Sequence, residues 1–188
     1  MKTLLLLALL LASSRLRAAC ENPSPLRLAL IPKSNPQQLR QTMAPLVRAL
    51  EQALKRRVEL GVSHSYGAVV EGRLGGAVDL AELGPASYAL LMQRDAVAQP
   101  VAALSARSAP GAGIASYHSV LITRADAGFD QIDKLRQRSV SLTDPASTSG
   151  ALLPRQALPQ LTGQPLESFF GQVSYAGSHD RAIAAVRR

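Results

Sequence analysis

The chain has 188 residues, 47% hydrophobic and 18% charged, which suits a globular protein of one or two small lobes. Aromatic residues make up 4% and Trp is absent, which argues against a base-stacking surface. The net charge of +8, from 21 basic and 13 acidic residues, is spread over helical faces as a solvated basic surface able to attract small anions; no nucleic-acid partner is expected. Cys20 stands alone, so no internal disulfide is possible and the fold must rest on its core.

In chain order, Lys2 and the apolar run 4–12 open a targeting segment. Nine apolar residues are too few to cross a bilayer, which takes roughly 20. Residues 1–19 therefore read as a secretory signal peptide, and removing Lys2, Arg15 and Arg17 with it lowers the net charge to +5. Leu16-Arg17-Ala18-Ala19-Cys20 resembles a bacterial lipoprotein box, with Arg17 where an aliphatic residue is expected. Ordinary cleavage near Ser14, Ala18 or Ala19 is the alternative. The expectation is an exported, periplasmic protein, on the membrane only if Cys20 is lipidated.

Past the leader, apolar periodicity predicts a strand over 26–31, a helix over 36–57 and a strand over 57–62. A short helix over 66–74 follows, then a strand over 78–83 ending at Gly84-Pro85, a helix over 86–94 and a strand over 97–104. This βαβαβ order predicts a parallel sheet with helices on both faces. Residues 105–115 are small and without periodicity, which marks a hinge. The pattern then restarts with a strand over 118–123, a short helix over 131–135, a strand over 139–143, a helix over 148–161, a strand over 171–175 and a last helix from Ser178. The expected organisation is lobe 1 over 24–104, hinge over 105–116 and lobe 2 over 117–188.

The most informative stretch is Asp144-Pro145-Ala146-Ser147-Thr148-Ser149-Gly150, between a strand and a helix start. A helix's first turn leaves backbone N–H groups without intrahelical partners and carries the positive end of the dipole. Three successive hydroxyls add donors there, more than a cap requires, so anion binding is favoured over a plain N-cap. Further donors fall on loops that such a sheet places at one edge: Tyr66, the Gly84-Pro85-Ala86-Ser87 turn, Tyr117, and Ser178-His179-Asp180. Each has an ordinary packing or capping role as its alternative. His64 and His118 fall on no helix start and are taken as surface or packing residues.

These segments appear in one order with Tyr66-Gly67-Ala68-Val69-Val70-Glu71, Leu83-Gly84-Pro85 and Tyr117-His118-Ser119-Val120-Leu121-Ile122. The chain thereby resembles the periplasmic substrate-binding proteins of phosphonate, phosphite and phosphate ABC transporters, from about Leu26 onward. The resemblance implies an α/β fold, a two-lobed periplasmic-binding-protein clamp of type II-like design with the second lobe and return crossover incomplete. It implies a small phosphorus-oxyanion ligand, an ABC transporter permease as partner, no cofactor and no metal. Carried over by position, its ligand contacts are Tyr66, Tyr117, Ser147, Thr148, Ser149 and His179.

Two departures stand out. Glu82 precedes Leu83-Gly84 where an aromatic or apolar residue is common, and could meet a cationic ligand tail or point into solvent. The chain also stops at Arg188, where the resemblance leads one to expect further elements, so a C-terminally truncated gene or fragment is expected. The leading function is a solute-binding protein, the alternative a sensing or accessory module of the same fold. A hydrolase using Ser147 or Ser149 ranks below both, since no Gly-x-Ser-x-Gly elbow is present.

Overall fold

The computed structural model describes residues 22–103 and 117–187. The expected signal peptide, Cys20 and the expected hinge over 105–116 lie outside the described residues.

The first sheet is built around β1 (Leu26–Leu30), almost wholly buried because helices cover both of its faces. It pairs in parallel with β2 (Val58–Val62), Leu26 opposite Val58 through Leu30 opposite Val62, and with β3 (Leu80–Ala81), giving the order β2-β1-β3. Helix α1 (Pro36–Leu54) starts where the Asn35 side chain accepts from the N–H groups of Gln37 and Gln38, at 2.9 and 3.3 Å. It ends three residues before the expected limit because Lys55 turns left-handed, at φ 53°. Leu39, Met43, Val47 and Leu50, at helical spacing, pack on Leu28 and Leu30. On the other face, helix α2 (Tyr66–Leu74), capped by Ser65, sets Tyr66 and Val69 against Ala29 and Ile31. Helix α3 (Pro85–Met92) packs beside α2.

The second unit holds a two-stranded parallel sheet, β4 (Ser139–Leu142) beside β5 (Gln172–Tyr175). Between them run a π-helical turn (Thr148–Leu152), helix α4 (Leu153–Thr162) and helix α5 (Leu166–Phe169), while α6 (His179–Ala185) follows β5. Its core is Leu142, Ala151, Leu158, Leu166, Phe169 and Phe170, the two phenylalanine rings meeting edge to face at 5.1 Å.

Two expected strands do not form. Residues 97–103 and 118–123 carry strand-like patterns, yet neither joins a ladder. Val97, Val101 and Val120 are instead 74–86% exposed. Strand propensity records how well a side chain fits a pleated, half-buried surface, and without a partner strand it stabilises nothing. The expected 78–83 strand likewise shortens to two ladder residues, and α5 was not expected.

Candidate functional site

The two units meet through polar groups on the segments that follow β2, β3 and β4. Asp144, 5% exposed, is the centre of the junction. Its Oδ1 accepts from the Ala146 N–H at 2.9 Å within its own loop, and its Oδ2 accepts from the Tyr66 N–H at 3.1 Å across the junction. Asp144 therefore fixes the loop and satisfies an orphan donor at the start of α2. Alongside, the Ala86 N–H at the head of α3 donates to Thr148 Oγ1 at 2.9 Å, and the fully buried Ser87 hydroxyl donates to the Ala146 carbonyl at 2.9 Å. Ala146 also packs with Tyr66, Val69 and Ile31, so the junction has an apolar floor.

The hydroxyl-headed segment begins as a π turn, with the Leu152 N–H reaching back five residues to the Ser147 carbonyl at 3.0 Å. Such turns are rare and cluster at functional sites. Ser147 is 2% exposed, and its hydroxyl accepts from the Gly150 N–H at 3.2 Å and shares a hydrogen bond with Tyr66. Gly150 is required here: a Cβ would stand 2.1 Å from Thr143 Oγ1.

Tyr66 is 2% exposed. Burial pushes its phenol up to about 12, the Ser147 hydrogen bond offsets part of this, and the Asp144 and Glu82 carboxylates and Tyr117 add to it. The phenol thus stays a proton donor at any physiological pH. A raised folded-state value contributes stability that is complete below the ordinary 10.0 and is lost as pH rises towards about 12. Between those limits the unmodified chain is expected to lose roughly 2–3 kcal/mol more stability than a Tyr66→Phe variant. Parallel urea titrations at stepped alkaline pH check this, and identical slopes for the two proteins would contradict it.

His179 opens α6 next to the Ser178 cap, and its Nδ1 lies 3.3 Å from Thr143 Oγ1. Burial lowers its pKa, with Asp180 working in the opposite direction, so the ring is neutral at neutral pH and offers one donor. His179 and Ser149 both line a groove of about 770 Å³ in the second unit, which is otherwise largely apolar. The Ser149 carbonyl accepts from Ser119 Oγ at 2.6 Å.

The six expected contacts therefore divide. Tyr66, Ser147 and Thr148 come together at the junction, and Tyr117, 58% exposed, lies near enough to act on the Tyr66 phenol. Ser149 and His179 face the neighbouring groove. The sequence reading missed Asp144, Thr143 and Ser119 as parts of this arrangement. The Asp-Pro step before the hydroxyl run was the available signal for Asp144, since a carboxylate there reaches the loop's own N–H groups. Glu82 does not point into solvent: it forms an ion pair with Lys33. Among the described residues no group of three His, Cys, Asp or Glu side chains could hold a metal ion, and no helix is long and apolar enough to cross a membrane.

Comparison with known proteins adds to this picture. Residues 28–188 match the family described as ABC transporter, phosphonate, periplasmic substrate-binding protein. The chain is 33% identical over 175 residues to the phosphate-import protein PhnD of Mycolicibacterium smegmatis, covering 87% of this chain and 52% of that protein. It thus spans about half the length of this relative. Three solved structures, each 21% identical and covering 86% of this chain, share its fold. A binding protein component of an ABC phosphonate transporter from Pseudomonas aeruginosa aligns with TM-score 0.70 over 53% of its chain. A Prochlorococcus marinus protein, PhnD1, in complex with methylphosphonate gives 0.59 over 59%, and a Xanthomonas citri protein bound to ATP gives 0.57 over 60%. The α/β architecture is that of the periplasmic binding proteins.

Proposed function

The chain belongs to the family of periplasmic phosphonate substrate-binding proteins of ABC transporters, and from that membership we propose that it captures a small phosphorus oxyanion outside the cytoplasm. The ligand class is phosphonate, phosphite or phosphate, delivered to a transporter permease without chemical change. Residues 24–104 and 117–188 act as the two lobes and 105–116 as the hinge. The protein is periplasmic, and acylation of Cys20 would tether it to the membrane.

The observation that carries this reading is the meeting of the hydroxyl-headed helix start at Ser147 and Thr148 with the neutral phenol of Tyr66. Hydroxyls, backbone N–H groups and a protonated phenol form a donor set that holds an anion without a counter-charge. Ser149, next in the chain after Thr148, and His179, at the head of α6, supply the remaining donors, with Tyr117 on the exposed side. In the arrangement described, Thr148 Oγ1 accepts from the Ala86 N–H and keeps its own proton for donation, so a bound oxyanion gains the Thr148 hydroxyl and competes with it for the Ala86 N–H.

Replacing Thr148 and Ser149 together by alanine tests the reading. A hydrogen bond to a charged group contributes about 1.5–3 kcal/mol, and 1.4 kcal/mol is a factor of about ten, so affinity should fall at least tenfold. Calorimetry with methylphosphonate, phosphite and phosphate measures it. Unchanged affinity in a folded double variant would remove the hydroxyl run from the site.

A further inference from the structure

The two units repeat one order of elements. In the first, β1, α1, β2 and α2 follow one another, and the chain then returns to pair β3 in parallel with the edge of β1 that β2 leaves free. In the second, β4 and β5 correspond to β1 and β2, and α6 corresponds to α2. Among the described residues no strand takes the place of β3 there. That place is the groove of about 770 Å³.

The groove is bounded as a strand requires. The Arg138 and Leu142 carbonyls turn towards β5, accepting from the Gly171 and Ala176 N–H groups at 3.0 and 2.8 Å. Backbone groups alternate along a strand, so those of Ser139 and Ser141, which line the groove, turn towards it. β4 presents four residues, roughly 13 Å of edge. The opposite wall is the strand-patterned segment 118–123, which joins no ladder. Leu161 of α4 and Ile183 of α6 also line the groove and are 70% and 49% exposed. An open backbone edge among exposed apolar side chains is a template for strand addition. The solved structures that share this fold do so over 53–60% of their own chains, so the fold accommodates elements beyond those described.

The described residues of a second copy have no suitable strand to give. β3 is committed to its own β1, 97–103 carries Pro100, which cannot donate to a ladder, and 118–123 already walls the groove. We propose that the groove is a strand-acceptor site for a separate polypeptide, whose extended segment adds in parallel to the free edge of β4. Its apolar residues are spaced as in Val78-Asp79-Leu80-Ala81-Glu82-Leu83, which fills the equivalent place in the first unit. There Leu80 packs into one cluster while Val78, Ala81 and Leu83 pack into another, so both faces of the strand are used.

A capped, fluorescently labelled peptide copying residues 77–84 is the probe. The full chain should bind it saturably, and backbone hydrogen exchange at Ser141 should slow at least tenfold when it does. Ser141→Pro removes the N–H that faces the groove and leaves the β5 side of the ladder intact. Ile183→Glu charges an exposed position of the wall, so it tests the site even where the proline variant fails to fold. Each should weaken peptide binding at least tenfold. Lack of saturable binding by the unmodified chain overturns the proposal, and so does full affinity in a folded Ile183→Glu variant. Exchange at Ser141 that is already slow without peptide overturns it too: in a monomer the chain's own residues then fill the groove, and in a dimer a second copy does.

Discussion

Replacing Asp144 by alanine is expected to leave the chain barely folded. Two backbone donors lose a charged acceptor at once, the Ala146 N–H in its own loop and the Tyr66 N–H across the junction. Each hydrogen bond to a charged group contributes about 1.5–3 kcal/mol, so the loss comes to roughly 3–6 kcal/mol. Domains of this size have about 5–15 kcal/mol in total. Alanine also leaves the N–H groups buried with nothing to accept from them, which a water reaches with difficulty in a loop as enclosed as this one. Asp144→Asn keeps one side-chain oxygen and should fall between the two proteins. Urea midpoints order the three; an alanine variant as stable as the parent would mean that the junction is held by its apolar floor instead.

Gly150→Ala should be almost as severe, for a steric reason. The added methyl would lie 2.1 Å from Thr143 Oγ1, 2.4 Å from Thr143 Cβ and 3.0 Å from Ser147 Oγ. Thr143 has little room to retreat, because it is 2% exposed, its N–H donates to the Gly150 carbonyl at 2.9 Å and its hydroxyl meets His179. Overpacking of this kind costs about 1–3 kcal/mol, occasionally more. Here it also pushes apart Ser147, Thr143 and His179, so ligand affinity should fall with stability. Gly67→Ala is the matched control, since nothing lies within 4 Å of its added methyl and helical alanine is favoured over glycine. Thermal melts of the two variants should move in opposite directions. If Gly150→Ala melts no lower than the parent, the first turn of the helix is looser than the structure shows.

Where local chemistry decides, the sequence was readable. The 66–74 helix appears over Tyr66–Leu74 because Ser65 caps it and Gly75 closes it, both local events. The hydroxyl-headed helix start after β4 was likewise visible, as a strand pattern running into Asp-Pro and three hydroxyls. What was not readable depended on partners distant in sequence. The alternation at 118–123 and 97–103 meets the requirements of a strand, and only the absence of a neighbouring ladder leaves those residues in irregular structure. Asp144 stood in the motif without a role of its own, and its reach across 78 residues to the Tyr66 N–H is a property of the assembled junction. The π turn escaped notice for a related reason: it arises where Gly150 is pressed against Thr143, a contact that no periodicity announces. Lys33 and Glu82, 49 residues apart, pair because parallel strands end at the same edge.

The junction between the units has a consequence for how this molecule would respond to dilute solute. Of the groups proposed to recognise a ligand, the Ala86 N–H is already engaged by Thr148 Oγ1 and the Tyr66 phenol shares a hydrogen bond with Ser147, so on that proposal the protein is in effect a competitor for its own site. Apparent affinity is then the intrinsic affinity reduced by the fraction of molecules in which those pairs are broken. Such internal competition sets a threshold. An ion that offers no better acceptors than a carbonyl or a hydroxyl gains nothing by entering, whatever its abundance, while a multiply charged oxyanion displaces several internal partners together. Weak binders are filtered out by thermodynamic indifference, with no steric barrier needed to exclude them.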